Sequence, residues 1–200
     1  MESDAPAIVL GRACGGCSLC CKVMVIAELA KPAGTWCPNC KVGTGCVIYD
    51  ERPASCRGFL CGWLIKAQLP ETWRPTRAKM VLAFNDRSLT VYVDPGSPTV
   101  WRNEPHYSDL KRWSREAAAM RANVLVVIGR RVIVVLPQGG ETDLGILAED
   151  ERILTREVPS FSGRRLEVVR VRQDDPRLGG QGDAPGGQVL LAHRIGPLGR

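Results

Sequence analysis

The placement of the cysteines constrains this chain more than any other feature of its sequence. All nine lie between Cys14 and Cys61, and the rest of the 200 residues contains none. The series opens with C-x-x-C-x-x-C-C, and a second C-x-x-C follows at Cys37 and Cys40. Short loops of this kind let several thiolates converge on one soft cation or on an iron–sulfur core. The N-terminal third is therefore predicted to be a metal-binding module. The candidate ligands are Cys14, Cys17, Cys20, Cys21, Cys37, Cys40, Cys46, Cys56 and Cys61.

A disulfide framework is the main alternative for so many cysteines in one segment. The first ten residues carry Glu2 and Asp4 and no basic residue, so they lack the basic start and apolar core of a secretory signal. We therefore expect a cytoplasmic protein, in which thiols stay reduced. An odd number of cysteines and a large cysteine-free remainder also argue against disulfides. No apolar run approaches the roughly 20 residues of a membrane span, so no membrane partner is expected.

The net charge of +6 and the pI near 9.0 do not by themselves indicate a nucleic-acid partner. A zinc site with four cysteine ligands carries a net charge near −2, so two such sites would remove most of the positive excess. The basic residues of the cysteine segment are also scattered along it rather than clustered. Nucleic acid is therefore a disfavoured partner, although a nucleic-acid-binding zinc protein remains an alternative hypothesis.

The chain divides into three segments by composition. Residues 1–75 form the predicted cysteine module, residues 76–173 an α+β part, and residues 174–200 a Gly- and Pro-rich tail that is expected to be mobile. The fold class is thus α+β, with a metal-bound N-terminal module packed on a small mixed strand and helix part. Apolar periodicity predicts one main helix from Ser108, as its N-cap, to about Ala122.

The strands are predicted from short β-branched and apolar runs bounded by turn residues. Gly129–Arg130 between two such runs indicates a hairpin, and residues 138–141 indicate a turn. The predicted strands are Val47–Asp50, Lys79–Phe84, Leu89–Val93, Val124–Ile128, Arg131–Leu136, Ile153–Val158 and Leu166–Val171, and Val189–Ile195 is expected to pair with a sheet edge.

The second half of the cysteine segment supplies a longer pattern. From Cys46 to Leu64 the sequence reads C-V-I-Y-D-E-R-P-A-S-C-R-G-F-L-C-G-W-L. Together with C-x-x-C-x-x-C-C, it resembles the YkgJ-type cysteine-cluster proteins, described as zinc- or iron-chelating domains, over about residues 14–64. The resemblance implies metal or cluster binding but no reaction. The resemblance implies that the metal ligands are Cys14, Cys17, Cys20, Cys21, Cys37, Cys46, Cys56 and Cys61. It also implies that Cys40 is an additional cysteine found in a subgroup of the family. A related pattern occurs in flagellin lysine methylases, where an iron–sulfur centre is implied.

Several other side chains are candidates for supporting roles. Arg52 and Arg57 flank Cys56 and are interpreted as partners of Asp50, Glu51 or a carbonyl of the turn, or as donors toward thiolates. The aromatic residues Tyr49, Phe59 and Trp63 are expected to pack over the site and to exclude water. The two histidines, His106 and His193, lack metal spacing and are interpreted as surface or core residues.

Three functions follow from these patterns. The first is a protein that holds zinc or an iron–sulfur cluster, and all-cysteine ligation suits both equally. The second is an iron–sulfur-dependent redox or protein-modifying enzyme with a cleft in the C-terminal part. The third is the nucleic-acid-binding zinc protein. A protein partner is compatible with the first hypothesis.

Overall fold

A computed structural model of the chain describes residues 7–85, 88–161, 163–178 and 188–193, and within them the fold is α+β, as expected. The α-helices are α1 Cys20–Val23, α2 Ala54–Gly58, α3 Gly62–Ile65, α4 Pro75–Ala78 and α5 His106–Ala119. The strands are β1 Cys40–Lys41, β2 Gly45–Cys46, β3 Met80–Asn85, β4 Ser88–Val93, β5 Asn123–Ile128, β6 Arg131–Val135, β7 Glu141–Ile146, β8 Glu151–Ser160, β9 Gly163–Arg172 and β10 Gln188–His193.

The largest of the three sheets in the described residues is mixed and has five strands, in the order β3-β4-β5-β6-β7. Strands β4 and β5 are parallel, and the other neighbouring pairs are antiparallel. A parallel pair needs a long crossover, and α5 lies within the connection that supplies it. The predicted pairing of β5 with β6 is confirmed, with Ile128 opposite Arg131 across the Gly129–Arg130 turn.

The two faces of this sheet are both buried because successive side chains of a strand point to opposite sides. On one face Val91, Val93 and Val126 pack with Leu110 of α5. On the other face Leu125 and Val127 pack against the β8–β9 hairpin, which belongs to a second sheet in the order β10-β8-β9. Apolar residues therefore occupy consecutive positions in β5, which explains why its sequence shows no alternation.

The cysteine segment packs on both faces of the edge strand β3. Val23 and Met24, at the end of α1, contact Val81 on one face. Trp63 and Leu64 of α3 join the helix-covered core on the other face. The segment thus straddles the sheet edge, and this position places its cysteines beside β3.

The structure corrects two boundaries near the predicted helix. Helix α5 begins at His106 with Pro105 as its N-cap, so Ser108 is not the cap. The helical period does not show where the first turn begins, and Ser108 lies within that turn rather than before it. The helix ends at Ala119, before the predicted end near Ala122, and Met120, which follows it, is 74% exposed.

Two strand predictions also change. Val47–Asp50 forms turns rather than a strand, and the short ladder of the cysteine segment lies earlier, between β1 and β2. The sequence does not predict β7, because residues 138–141 indicate only a turn, whereas the strand begins at Glu141 and is polar and half-buried. It completes the sheet by pairing with β6.

Little of the C-terminal tail is described. Strand β10 pairs antiparallel with β8, which confirms the expected pairing of this stretch with a sheet edge. Residues 179–187 and 194–200 lie outside the described residues, so the expected mobility of the tail stays a prediction. Of the helices in the part of the chain that the structure describes, none is long and apolar enough to span a membrane.

Candidate metal centre

The first cysteine loop is closed by its own backbone and by contact with the second loop. The amide of Cys17 donates a hydrogen bond to the carbonyl of Cys14 at 2.8 Å, which makes a tight turn. A Cβ at Gly16 would lie 2.6 Å from the carbonyl oxygen of Gly43, so only glycine allows this approach. The two loops are therefore held backbone to backbone.

The second cysteine loop is tied directly to α1. The amide of Cys37 donates to the carbonyl of Cys21 at 3.0 Å, and the amide of Cys40 donates to the carbonyl of Cys37 at 3.0 Å. Cys40 then stands opposite Cys46 in the β1–β2 ladder. Cysteines that are distant in sequence are thus brought together by backbone hydrogen bonds.

The last two cysteines come from the short helices that follow. Cys56 lies within α2, and Cys61 is the N-cap residue of α3. The carboxylate of Glu28 accepts hydrogen bonds from the amide and the hydroxyl of Ser55, at 3.0 and 2.8 Å. This contact fastens α2 to the loop that follows α1.

Eight of the nine thiols line one cavity of about 90 Å³ at the sheet edge. Most of the remaining wall is apolar and includes Ile26, Leu29, Ile48, Phe59 and Val81. Cys40 is not part of the wall, but its thiol donates a hydrogen bond to the sulfur of Cys21. The thiols in the wall are those of Cys14, Cys17, Cys20, Cys21, Cys37, Cys46, Cys56 and Cys61.

Five of the nine cysteines have surroundings that raise the pKa of the thiol and so favour its protonated form, namely Cys14, Cys21, Cys40, Cys56 and Cys61. Burial, together with the neighbouring Cys14 and Cys17, raises the pKa of Cys61 to about 11. Burial and the neighbouring Cys21 raise the pKa of Cys40 to about 11. The hydrogen bond with Cys20 and burial raise the pKa of Cys21 still further. Thiols of this kind are poor nucleophiles, and a metal that displaced their protons would offset the cost of ionisation.

All nine cysteines are free thiols, so the structure contains no disulfide framework in this segment. As the side chains stand, no three or more His, Cys, Asp or Glu residues in the described ranges form a group that could hold a metal ion. The donor set and the shared cavity fit a thiophilic metal, whereas an ordered set of ligands is not formed.

Arg52 contributes a cation to the cavity wall. Its guanidinium lies 3.5 Å from the ring centroid of Tyr49, and its Nε donates to the Tyr49 carbonyl at 2.6 Å. It therefore pairs with a carbonyl of the turn, as one of the two interpretations held, and not with Asp50 or Glu51. Arg57 is exposed, and its side chain forms no hydrogen bond or ion pair with residues in the described ranges.

Two of the three aromatic residues lie where the sequence predicted. Tyr49 and Phe59 line the cavity. Trp63 does not, because α3 turns it to the other face of the sheet, where it is buried in the helix-covered core beneath the guanidinium of Arg12. The prediction that Trp63 covers the site is wrong for this reason.

The histidines do not join the cysteines. His106 is buried at the start of α5, where its ring lies 4.6 Å from that of Trp73 and its Nε2 is 3.0 Å from the carbonyl of Thr72. It is a core histidine, as interpreted. The backbone of His193 belongs to β10, and its side chain lies outside the described part of the chain.

Sequence reasoning missed Lys31, which it counted among the scattered bases. Lys31 is only 3% exposed, and its Nζ donates to the carbonyls of Lys22 at 3.0 Å and of Met24. The isolated Ile26–Lys31 bridge, with Ala30 in the left-handed conformation, folds the chain back on α1 and buries this side chain. A lysine before a Pro-Ala-Gly turn gives no sequence signal for burial.

No family model, curated protein or solved structure matches this chain. The likeness to YkgJ-type proteins therefore remains a prediction from the cysteine pattern.

Proposed function

We propose that this protein holds zinc or an iron–sulfur cluster through the cysteines of its N-terminal segment. The observation that carries the proposal is the convergence of eight free thiols, drawn from a 14–61 stretch, on one largely apolar cavity. Thiolates are the preferred ligands of both groups, and an apolar wall restricts solvent access to them. The proposed ligands are the eight cysteines of the cavity wall, and Cys40 is a neighbour of one of them.

The bound metal would stabilise a segment that has little regular structure of its own. Its helices contain four or five residues each and its strands two. Helices this short are unstable without tertiary support, since nucleation costs more than a few hydrogen bonds return. Metal binding to such a segment contributes directly to its folding.

The cavity residues have separate parts in this proposal. The thiols bind the metal, Arg52 offsets negative charge beside Cys14, and Phe59 and Val81 exclude water. A bound zinc ion would act as a structural centre, and an iron–sulfur cluster would add one-electron chemistry. We place the protein in the cytoplasm, where free thiols persist. The proposed partner is the metal, and a protein partner is compatible with this role. We propose neither nucleic acid nor a membrane as a partner.

The experiment is a set of single cysteine-to-serine variants with a matched control inside the same segment. Cys17→Ser, Cys46→Ser and Cys56→Ser each remove a thiol from the cavity wall, and Cys40→Ser removes the one thiol outside it. We expect the first three to lose metal, measured by elemental analysis per chain, and Cys40→Ser to keep the wild-type content. Wild-type metal content in all three wall variants would overturn the proposed ligand set.

A further inference from the structure

Lys31 occupies a position that a lysine rarely takes. Its side chain is buried against α1, and two of its three ammonium hydrogens are used by the carbonyls of Lys22 and Met24. These carbonyls belong to the last turn of α1 and the residue that follows it, where the helix leaves acceptors unsatisfied. The ammonium therefore fixes the end of the helix that carries Cys20 and Cys21.

No carboxylate offsets the charge of Lys31 among the residues that the structure describes. The neighbouring Lys22 does have such a partner, since its Nζ lies 2.6 Å from Asp94. A buried cation without a counter-ion is strongly destabilising, so burial lowers the pKa of Lys31. The groups that oppose this effect are four cysteines, namely Cys37, Cys21, Cys20 and Cys56.

We propose that Lys31 is the counter-cation and positioning residue of the metal–thiolate site. Its charge balances the excess negative charge of the bound thiolates, and its two hydrogen bonds hold α1 so that Cys20 and Cys21 face the cavity. This inference rests on the proposed function, because only ionised cysteines supply the missing counter-charge. A site with four thiolates and one divalent cation has a net charge near −2, which a single buried ammonium partly offsets.

Arg52 does not duplicate this role. It is partly exposed, stacks on Tyr49 and affects Cys14 at the other end of the cysteine series. Lys31 instead contacts the end of α1, next to Cys20 and Cys21, through its bonds to the carbonyls of Lys22 and Met24. Its charge is also coupled electrostatically to Cys37 and Cys56. Loss of Lys31 is therefore expected to weaken metal binding even with Arg52 in place.

The test uses three substitutions of Lys31 in the full chain and one control. Lys31→Met removes charge and hydrogen bonds, Lys31→Gln keeps donors for the carbonyls without the charge, and Lys31→Arg keeps the charge. Lys41→Met is the control because it removes the same charge from an exposed position of the segment. The readouts are metal release to a chromogenic chelator, the thiolate-to-metal absorption band of Co²⁺-loaded protein, and thermal unfolding of the C-terminal sheets.

We expect Lys31→Met and Lys31→Gln to lower metal affinity by about 10- to 100-fold, the range found when groups around metal ligands are lost, and therefore to release metal faster than wild type. Lys41→Met stays near wild type, and Lys31→Arg retains metal better than Lys31→Gln. Equal release from Lys31→Met and Lys41→Met, or wild-type behaviour of Lys31→Gln, would overturn the counter-cation role while wild type still binds metal. Absence of metal from wild type as well would instead overturn the proposed function on which this inference rests.

Discussion

Gly62 offers the sharpest test of how the cysteine segment is joined to the sheet. It is buried at the first position of α3, directly after Cys61, where the helix lies against β3. A Cβ built there would lie 2.9 Å from the Cβ of Leu82 and would also meet the ring of Phe84. Replacement by alanine therefore brings the new Cβ in α3 too close to the Cβ of Leu82 in β3.

The stability cost of Gly62→Ala depends on which of the two neighbouring side chains can move away. The ring of Phe84 is 42% exposed and can rotate into solvent, but the Cβ of Leu82 moves only with the strand. Relief of that contact requires α3 and β3 to separate by roughly 0.6 Å or more, to the usual 3.5–4.0 Å between carbons. Overpacking of this kind costs about 1–3 kcal/mol. Alanine gains about 1 kcal/mol over glycine only in a helix interior, and Gly62 is the first residue of α3, so the gain here is a fraction of that. The net loss is about 1–2 kcal/mol.

The assay is urea unfolding, with thermal unfolding as a second measure. We expect Gly62→Ala to lower the free energy of unfolding by that amount and the midpoint temperature by about 2–8 °C. The matched control is Gly58→Ala in the neighbouring helix, where a Cβ meets nothing within 4 Å. That variant should stay within about 0.5 kcal/mol of wild type.

A double variant shows which contact is responsible. In a Phe84→Ala background the ring is absent but the contact with Leu82 remains, so Gly62→Ala should cost about as much there as it does in wild type. The reasoning is refuted if Gly62→Ala is as stable as Gly58→Ala, because α3 and β3 would then not be packed as closely as the structure places them.

Two further predictions concern the core and the pH dependence of stability. Leu110→Ala in α5 should lower the free energy of unfolding, measured in urea, by about 2–5 kcal/mol. Met120→Ala, at the exposed end of the helix, should change it by less than about 0.5 kcal/mol, and similar losses in both variants would contradict the burial pattern. Burial raises the pKa of Asp94, but its hydrogen bonds, chiefly from Lys22, lower it by more, so the folded pKa lies below the ordinary aspartate value of about 3.9. The ion pair therefore stabilises the fold above that pH, and this stabilisation is lost as the pH falls through the folded pKa. The difference in free energy of unfolding between wild type and Asp94→Asn should accordingly shrink from about pH 7 to about pH 3. A difference that stayed constant over this range would contradict the prediction.

The strands of the five-stranded sheet could be predicted from the sequence because their signals are local. Runs such as Val124–Ile128 and Arg131–Leu136 combine β-branched residues with a glycine turn, and the structure pairs them as expected. Strand β7 could not be found this way, since a half-buried polar edge strand gains its stability from the neighbouring β6 rather than from its own composition.

The sequence predicts which cysteines belong to the candidate site but not how the residues around them are arranged in space. Cysteine spacing indicated which thiols belong together, and eight of them do line one cavity. The burial of Lys31 and the turning of Trp63 to the opposite face depend on how the segment straddles β3. Such tertiary placement leaves no periodic trace in a segment of turns and very short helices.

The measurement that tests the central claim most directly is elemental analysis with a visible spectrum, on the full chain purified without oxygen or added chelator. The account predicts stoichiometric metal: either zinc and no colour, or iron with matching sulfide and visible absorption. The account would be contradicted by folded protein that has all nine thiols titratable and less than about a tenth of an equivalent of any metal per chain. The cavity thiols would then not be metal ligands.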